Sequence, residues 1–277
     1  TWERSTTINT GLEFNIADVL EGEVEYFHKK TTDMLFMKQV APSLGYASYP
    51  VNDGALVNKG VEFSLTAHLL DKQDYKFDFR VNGGYYKNRM TKMPIDETTG
   101  NEKPIEISTY YGWAKGHSLY DFYLREYAGV DPATGKELYY INGEDGSRET
   151  TTNSAQANKT IIGSVEPTVQ GGLTNFVSWK FIDFNMTLTY SLGGHAYDYA
   201  TWLQSNGGTY NYLGNVPAYY KIEDTWKKPG DNAKLPQFAY GNTNIASSRW
   251  LMSTDHLRIK NITLGFTMPS KVSQKWG

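Results

Sequence analysis

The chain has 277 residues, no cysteine, 26 glycines and 21 tyrosines, and its 27 basic and 30 acidic side chains leave a formal net charge of −3. The lack of thiols excludes a disulfide framework, a zinc finger and cysteine nucleophiles. The interspersed, slightly acidic charge offers no basic face for a phosphate backbone, so nucleic acid is not an expected partner. Mean hydropathy is −0.54, and no run approaches the roughly 18 apolar residues of a membrane helix. A transmembrane barrel stays open, because only alternate residues of its strands face lipid. The composition, rich in Tyr, Phe, Thr, Asn and Gly, favours strands and turns.

Taken in chain order, Ile8, Leu12, Phe14 and Ile16 alternate with Thr7, Asn9, Gly11 and Glu13. A short turn over residues 17–20 follows, and Glu21, Glu23 and Glu25 then share a face opposite Val24 and Tyr26. From Val57 the apolar set Val57, Val61, Phe63, Leu65, Ala67 and Leu69 is strictly period two, broken only by Lys59. After a turn at residues 71–74, Tyr75, Phe77, Phe79, Val81 and Tyr85 continue the pattern opposite Lys76, Asp78, Arg80 and Asn82, which predicts a hairpin. A weaker strand over residues 171–177, a turn at 180–183, and the set Phe184, Met186, Leu188, Tyr190 and Leu192 make a second such pair. The last strand carries Ile262, Leu264, Phe266 and Met268.

Seven strands are thus predicted, long enough to cross a bilayer, since about nine to eleven tilted residues suffice. Their connections alternate. Residues 17–20, 71–74 and 180–183 are short links, and residues 38–54, 92–164 and 194–255 are long ones. In an up-and-down array this puts all short turns at one rim and all long loops at the other, the asymmetry of short periplasmic turns and long extracellular loops. The first and seventh strands then both run toward the periplasm. Aromatic residues near strand ends, Tyr26, Tyr75, Tyr85, Trp179 and Tyr190, suit interfacial girdles. The expected fold is all-β, part of a transmembrane antiparallel up-and-down barrel. A secreted, soluble β-sandwich that binds carbohydrate is the alternative from pattern alone. Seven strands leave two open edges, so residues 1–277 are expected to be one partial domain.

The residues carry little catalytic chemistry. His28, His68, His117, His195 and His256 lack metal-ligand spacing, and no nucleophile elbow, phosphate loop or dinucleotide fingerprint is present. No enzyme, metal or cofactor is expected. Asn142-Gly143-Glu144-Asp145-Gly146 is acidic enough to raise calcium, yet lacks the spacing of a calcium loop. Glu21, Glu23 and Glu25 read as a solvated face. The sequons at Asn185 and Asn261 fall inside strands, and Asp131-Pro132-Ala133-Thr134-Gly135 reads as a turn that scaffolds a loop.

Several segments also resemble those of SusC/RagA-type TonB-linked outer-membrane proteins. They are Thr1-Trp2-Glu3-Arg4 with Asn9-Thr10-Gly11-Leu12-Glu13-Phe14, then Tyr26 to Leu35, then Asn58-Lys59-Gly60-Val61-Glu62. Ala128-Gly129-Val130-Asp131-Pro132-Ala133-Thr134-Gly135, Trp226 with Pro229-Gly230-Asp231, and Leu257 to Phe266 complete the ordered set. The resemblance implies the later part of a barrel of about 22 strands, ending shortly before its final strands, with a plug domain and a TonB-contacting segment outside this sequence. It further implies an outer-membrane nutrient importer of a Gram-negative bacterium, taking up oligosaccharides or peptides with a SusD-like surface lipoprotein and driven by TonB. A passive, structural or adhesin-like barrel is the other expectation.

Candidate ligand-binding residues are aromatics of the two longest loops: Tyr110, Tyr111 and Trp113 in one, and Trp202, Tyr210, Tyr212, Tyr219 and Tyr220 in the other. Rings with polar tips stack on sugar faces or pack peptide side chains. The same rings also serve to pack loops together or to contact a protein.

Overall fold

The computed structural model describes residues 2–39, 45, 48–95, 100–143, 145–205, 218, 221–239, 245–269 and 274. One antiparallel sheet runs in sequence order through β1 (Arg4–Ile16), β2 (Leu20–Gln39), β3 (Ser48–Lys72), β4 (Tyr75–Lys92), β5 (Val169–Trp179), β6 (Ile182–Leu192) and β7 (His256–Phe266). The seven predicted strands and their up-and-down order are borne out. The turns at one rim are tight: Ala17, Asp18 and Lys180 take positive φ, and Asn15 and Asp18 bond each other across the first turn. Asn and Asp tolerate such turns because their side chains satisfy the local backbone.

Register sets the two faces. On one, Leu65, Val81, Leu173 and Leu188 lie side by side across β3 to β6, and Tyr75, Trp179, Ile182 and Phe266 form the row at the short-turn rim. The opposite end of this apolar face carries the row Tyr26, Val61, Tyr85 and Val169. Ten residues separate Tyr75 from Tyr85, about 25 Å along the axis at a typical strand tilt of ~40°, which matches the apolar band of an outer-membrane barrel. No described element covers this face, and Leu264 is 75% exposed. A soluble sandwich would bury it under a second sheet, so that alternative is overturned.

Within the band, Tyr190 brings its hydroxyl over Gly171 and Gly83, where it donates to the Asn82 carbonyl at 3.2 Å. A Cβ at Gly171 would stand 2.1 Å from that carbonyl oxygen and 2.6 Å from the Tyr190 hydroxyl, so the hydrogen bond needs glycine there. The hydroxyl thereby meets an acceptor where lipid supplies none.

The opposite face is polar. Glu23, Glu25 and Glu62 stand on it toward β1, and His256 and Arg258 toward β7. Nearer the short turns, His68 Nδ1 lies 2.7 Å from Asp78 Oδ1 and its Nε2 3.7 Å from Glu21 Oε1. The solvated face of Glu21, Glu23 and Glu25 is therefore the lumenal one.

Two strand boundaries differ from expectation, and both differences come from β-bulges. The link read as residues 38–54 is largely strand, because β2 continues to Gln39 and β3 begins at Ser48. Asp33, with φ 57°, bulges β2 and reverses its parity, so that Met34 pairs with Gly54 and Phe36 turns to the lumenal side over Gly54. Strand β7 starts at His256, before the predicted apolar set, because the register shifts between Ile259 and Asn261. Leu257 and Ile259 precede the shift in odd phase, and Ile262, Leu264 and Phe266 follow it in even phase.

Candidate ligand-binding cap

Above the aromatic row the lumenal wall becomes apolar. Phe36, Leu56, Met90 and Met93 form a buried cluster, against which Met34, Val51, Ile105, Trp113 and Leu119 pack. This is where the long link 93–168 turns inward over the barrel mouth. Beyond Tyr85, β4 no longer pairs with β5, and the segment around residues 114–121 takes that place. The Met90 amide donates to the His117 carbonyl at 2.8 Å, and the Gly116 amide to the Met90 carbonyl at 2.7 Å. Polar contacts lock the same segment. Asn88 Oδ1 accepts from the Leu119 amide at 2.9 Å, and the Ser118 hydroxyl donates to Glu166 at 2.6 Å.

The second long link, 193–255, packs onto the first. Arg249 pairs with Glu137, both side chains nearly buried, and the Arg249 guanidinium lies 4.3 Å from the Trp250 ring centroid. The Tyr139 hydroxyl donates to the same Glu137, and burial together with that carboxylate drives the Tyr139 hydroxyl far above its ordinary value. The Tyr127 amide donates to Ser248 Oγ at 2.9 Å.

The turn at residues 131–135 is the second point of union. Asp131 accepts from the Thr134 hydroxyl at 2.5 Å and from the Ala133 amide at 3.0 Å, which holds its carboxyl below the usual range. Gly135, at φ +70°, lies beneath the Trp226 ring, where a Cβ would come within 2.5 Å of the indole. Asp131 to Gly135 and Trp226 to Asp231, separate motifs in the sequence, are thus two halves of one contact. The expectation of a scaffolding turn describes its structure well.

The aromatic candidates divide by what they touch. Trp113 meets Phe36 edge-on at 5.7 Å and donates its Nε1–H to the Leu119 carbonyl, and Tyr111 stacks on Phe122 at 5.0 Å. Tyr110 lies 4.3 Å from Tyr197, across the junction of the two links. A short helix, Tyr199–Gln204, is capped by Asp198, which accepts from the Thr201 amide at 3.0 Å. Residues at i and i+3 share a helix face, so Tyr199 and Trp202 stack at 5.2 Å, with Tyr199 51% exposed. Burial and the nearby Tyr199 raise the Tyr110 hydroxyl. Tyr210, Tyr212, Tyr219 and Tyr220 lie outside the described residues. Tyr197 and Tyr199 went unnamed in the sequence reading, although the i, i+3 spacing of Tyr199 and Trp202 was available to find the latter pair. No group of three or more potential metal ligands occurs among the described residues, and Asp145 bonds Ser147.

A bare apolar band between two aromatic rows, a polar inner wall and a cap built from the links at one rim define the wall of an outer-membrane β-barrel. Residues 1–110 match the family model "TonB dependent receptor-like, beta-barrel". All of the chain aligns with TonB-dependent receptor P3 of Formosa agariphila at 28% identity, covering 28% of that protein. TonB-dependent receptor SusC of Bacteroides thetaiotaomicron aligns with 96% of the chain at 25% identity, over 26% of its own length. A solved structure of the RagAB peptide transporter superposes on 98% of the chain with a TM-score of 0.79 and 26% identity, over 30% of the matched chain. The chain spans less than a third of the length of these relatives. The SusC/RagA-type resemblance is borne out by these likenesses: the chain is β-barrel wall similar to that of TonB-dependent receptors, in the outer membrane of a Gram-negative bacterium. Its relatives are receptors and transporters, not enzymes.

Proposed function

We propose that the chain forms part of the wall and extracellular cap of a TonB-driven importer. It would take up an oligosaccharide or a peptide together with a SusD-like surface lipoprotein. The observation that carries this reading is the cap made by the two long links, which sets Tyr110 against Tyr197 and stacks Tyr199 on Trp202 at one junction above the barrel lumen. Grouped rings with polar tips bury the faces of sugars or the side chains of peptides, and nearby amides and hydroxyls fix orientation. Trp113 ties the cap to the wall at Phe36 and Tyr111 packs on Phe122 inside the cap, so Tyr110, Tyr199 and Trp202 are the proposed contacts, joined by Tyr210, Tyr212, Tyr219 and Tyr220 of the same link. The name of one relative favours a peptide for that relative. In this chain either cargo fits the chemistry.

The test is uptake by cells carrying the full-length protein, wild type against Trp202→Ala and Tyr110→Ala, with oligosaccharide and peptide pools supplied separately. Reduced uptake of one pool, with unchanged barrel assembly, supports the importer and identifies its cargo class. Equal uptake of both pools by all three proteins removes these rings from the site. No uptake by the wild type returns the passive barrel.

A further inference from the structure

The apolar parity of the outer face breaks just above the aromatic row, beginning with Lys59. Register shows what the break is. Ile8, His28, Lys59 and Lys87 stand side by side across β1 to β4. The next row upward is Thr6, Lys30, Val57 and Arg89. Five of these eight residues are basic and none is acidic. No carboxylate lies within 4 Å of His28, Lys30, Lys59 or Lys87 among the described residues, and Lys30, Lys59 and Lys87 are exposed. One row higher the pattern changes: Arg4 pairs with Asp33 at 3.5 Å and Lys92 with Asp53 at 2.6 Å. Like charges directly opposite one another weaken a sheet. The chain places neutralising acids beside the upper cations and leaves the lower two rows without them.

The location supplies the reason. These rows sit immediately above Tyr26, Val61 and Tyr85, at the outer boundary of the lipid band, and the Lys87 ammonium reaches to 5.5 Å from the Tyr85 ring centroid. That is the depth of the outer-leaflet headgroups. The patch measures roughly 10 Å across the strands by 7 Å along them.

We propose that His28, Lys30, Lys59, Lys87 and Arg89 form a binding site on the outer barrel wall for the phosphate groups of an outer-leaflet lipid. Ammonium groups at a membrane surface attract anionic headgroups, and Arg presents a fork suited to phosphate oxygens. Arg89 already donates to the Gly116 carbonyl at 2.9 Å, so the headgroup would sit against the base of the cap.

The experiment uses the full-length receptor in phosphatidylcholine bilayers doped with bis-phosphorylated lipid A, with the retained lipid counted by native mass spectrometry. Lys59→Gln/Lys87→Gln should lower retention about thirty-fold, from the usual contribution of two Lys charges at an anionic surface. Lys59→Arg/Lys87→Arg and the loop control Lys227→Gln/Lys228→Gln should retain it, and dephosphorylated lipid A should not be held. Equal retention by the Gln variant overturns the proposal. So does displacement of lipid A by inorganic phosphate at comparable strength, which would make the site a free-anion site. Loss of a co-purifying protein with lipid retention unchanged overturns it in favour of a protein interface. Should the Gln variant not assemble, acetylation of the wild type decides: Lys59 and Lys87 are shielded by phosphorylated lipid A alone if the site exists, and react equally in both lipids if it does not.

Discussion

The Trp226 indole donates its Nε1–H to the Pro132 carbonyl at 2.9 Å, across 94 residues of sequence. The Gly230 amide reaches the same oxygen at 2.8 Å, and the Gln237 amide reaches the Gly135 carbonyl at 2.8 Å. One turn of the first long link is thus read by three groups of the second.

Trp226→Ala should release that contact. Truncating a buried Trp typically costs about 3–5 kcal/mol, and here the loss falls on the cap rather than on the barrel. Limited proteolysis should cut the links between residues 93 and 255 faster in the variant. The heat-modifiable migration of the folded barrel should not change.

Arg249→Ala should be more damaging than removing the pair altogether. It strands Glu137 in a nearly buried site, a loss of about 3–5 kcal/mol, whereas Glu137→Gln with Arg249→Met removes both charges and recovers much of it. Hydrogen exchange of the strand Glu137–Asn142 reports the difference.

Alkali should loosen the same region. The Tyr139 hydroxyl is raised above its ordinary value of 10.0 by burial and by Glu137. An acid whose folded value is raised contributes stability that is fully present below its unfolded value and is lost as pH climbs toward the folded one. The Tyr139 contribution to cap stability should therefore be flat below pH 10 and fall above it. Tyr139→Phe should flatten that decline, as followed by proteolysis across the alkaline range.

Parity can be tested at neighbouring residues. Leu173 faces outward near the middle of the band and Thr174 faces inward. Leu173→Arg should cost about 2–4 kcal/mol of barrel stability in bilayers, and Thr174→Arg far less. A larger loss for Thr174→Arg in urea unfolding would mean that the faces are assigned the wrong way round, and equal losses that neither position faces lipid.

How much of this was legible depended on range. Strict alternation along β3 and β4 identifies strands because it is local, and Glu21, Glu23 and Glu25 announce a wet face for the same reason. Met34-Leu35-Phe36-Met37 is apolar without alternation, so it hides the Asp33 bulge and the change of phase behind it. The cap was not legible. Glu137 with Arg249, and Pro132 with Trp226, meet only after the sheet has brought the two links to one rim. Trp113 and Trp202 look alike as loop rings, yet one is tied to Phe36 and the other stacks on a half-exposed partner, a difference that arises from tertiary packing.

Strands β2 and β3 overshoot the upper aromatic row by 13 residues each, from Tyr26 to Gln39 and from Val61 to Ser48, roughly 30 Å at the usual rise and tilt. A paired ribbon of that length, seated on Phe36, Leu56 and Met90, behaves as a stiff mast. Force applied from the periplasmic side would reach the cap through the wall rather than by bending it. Any motion above such a mast must hinge elsewhere, in the links rather than in the strands.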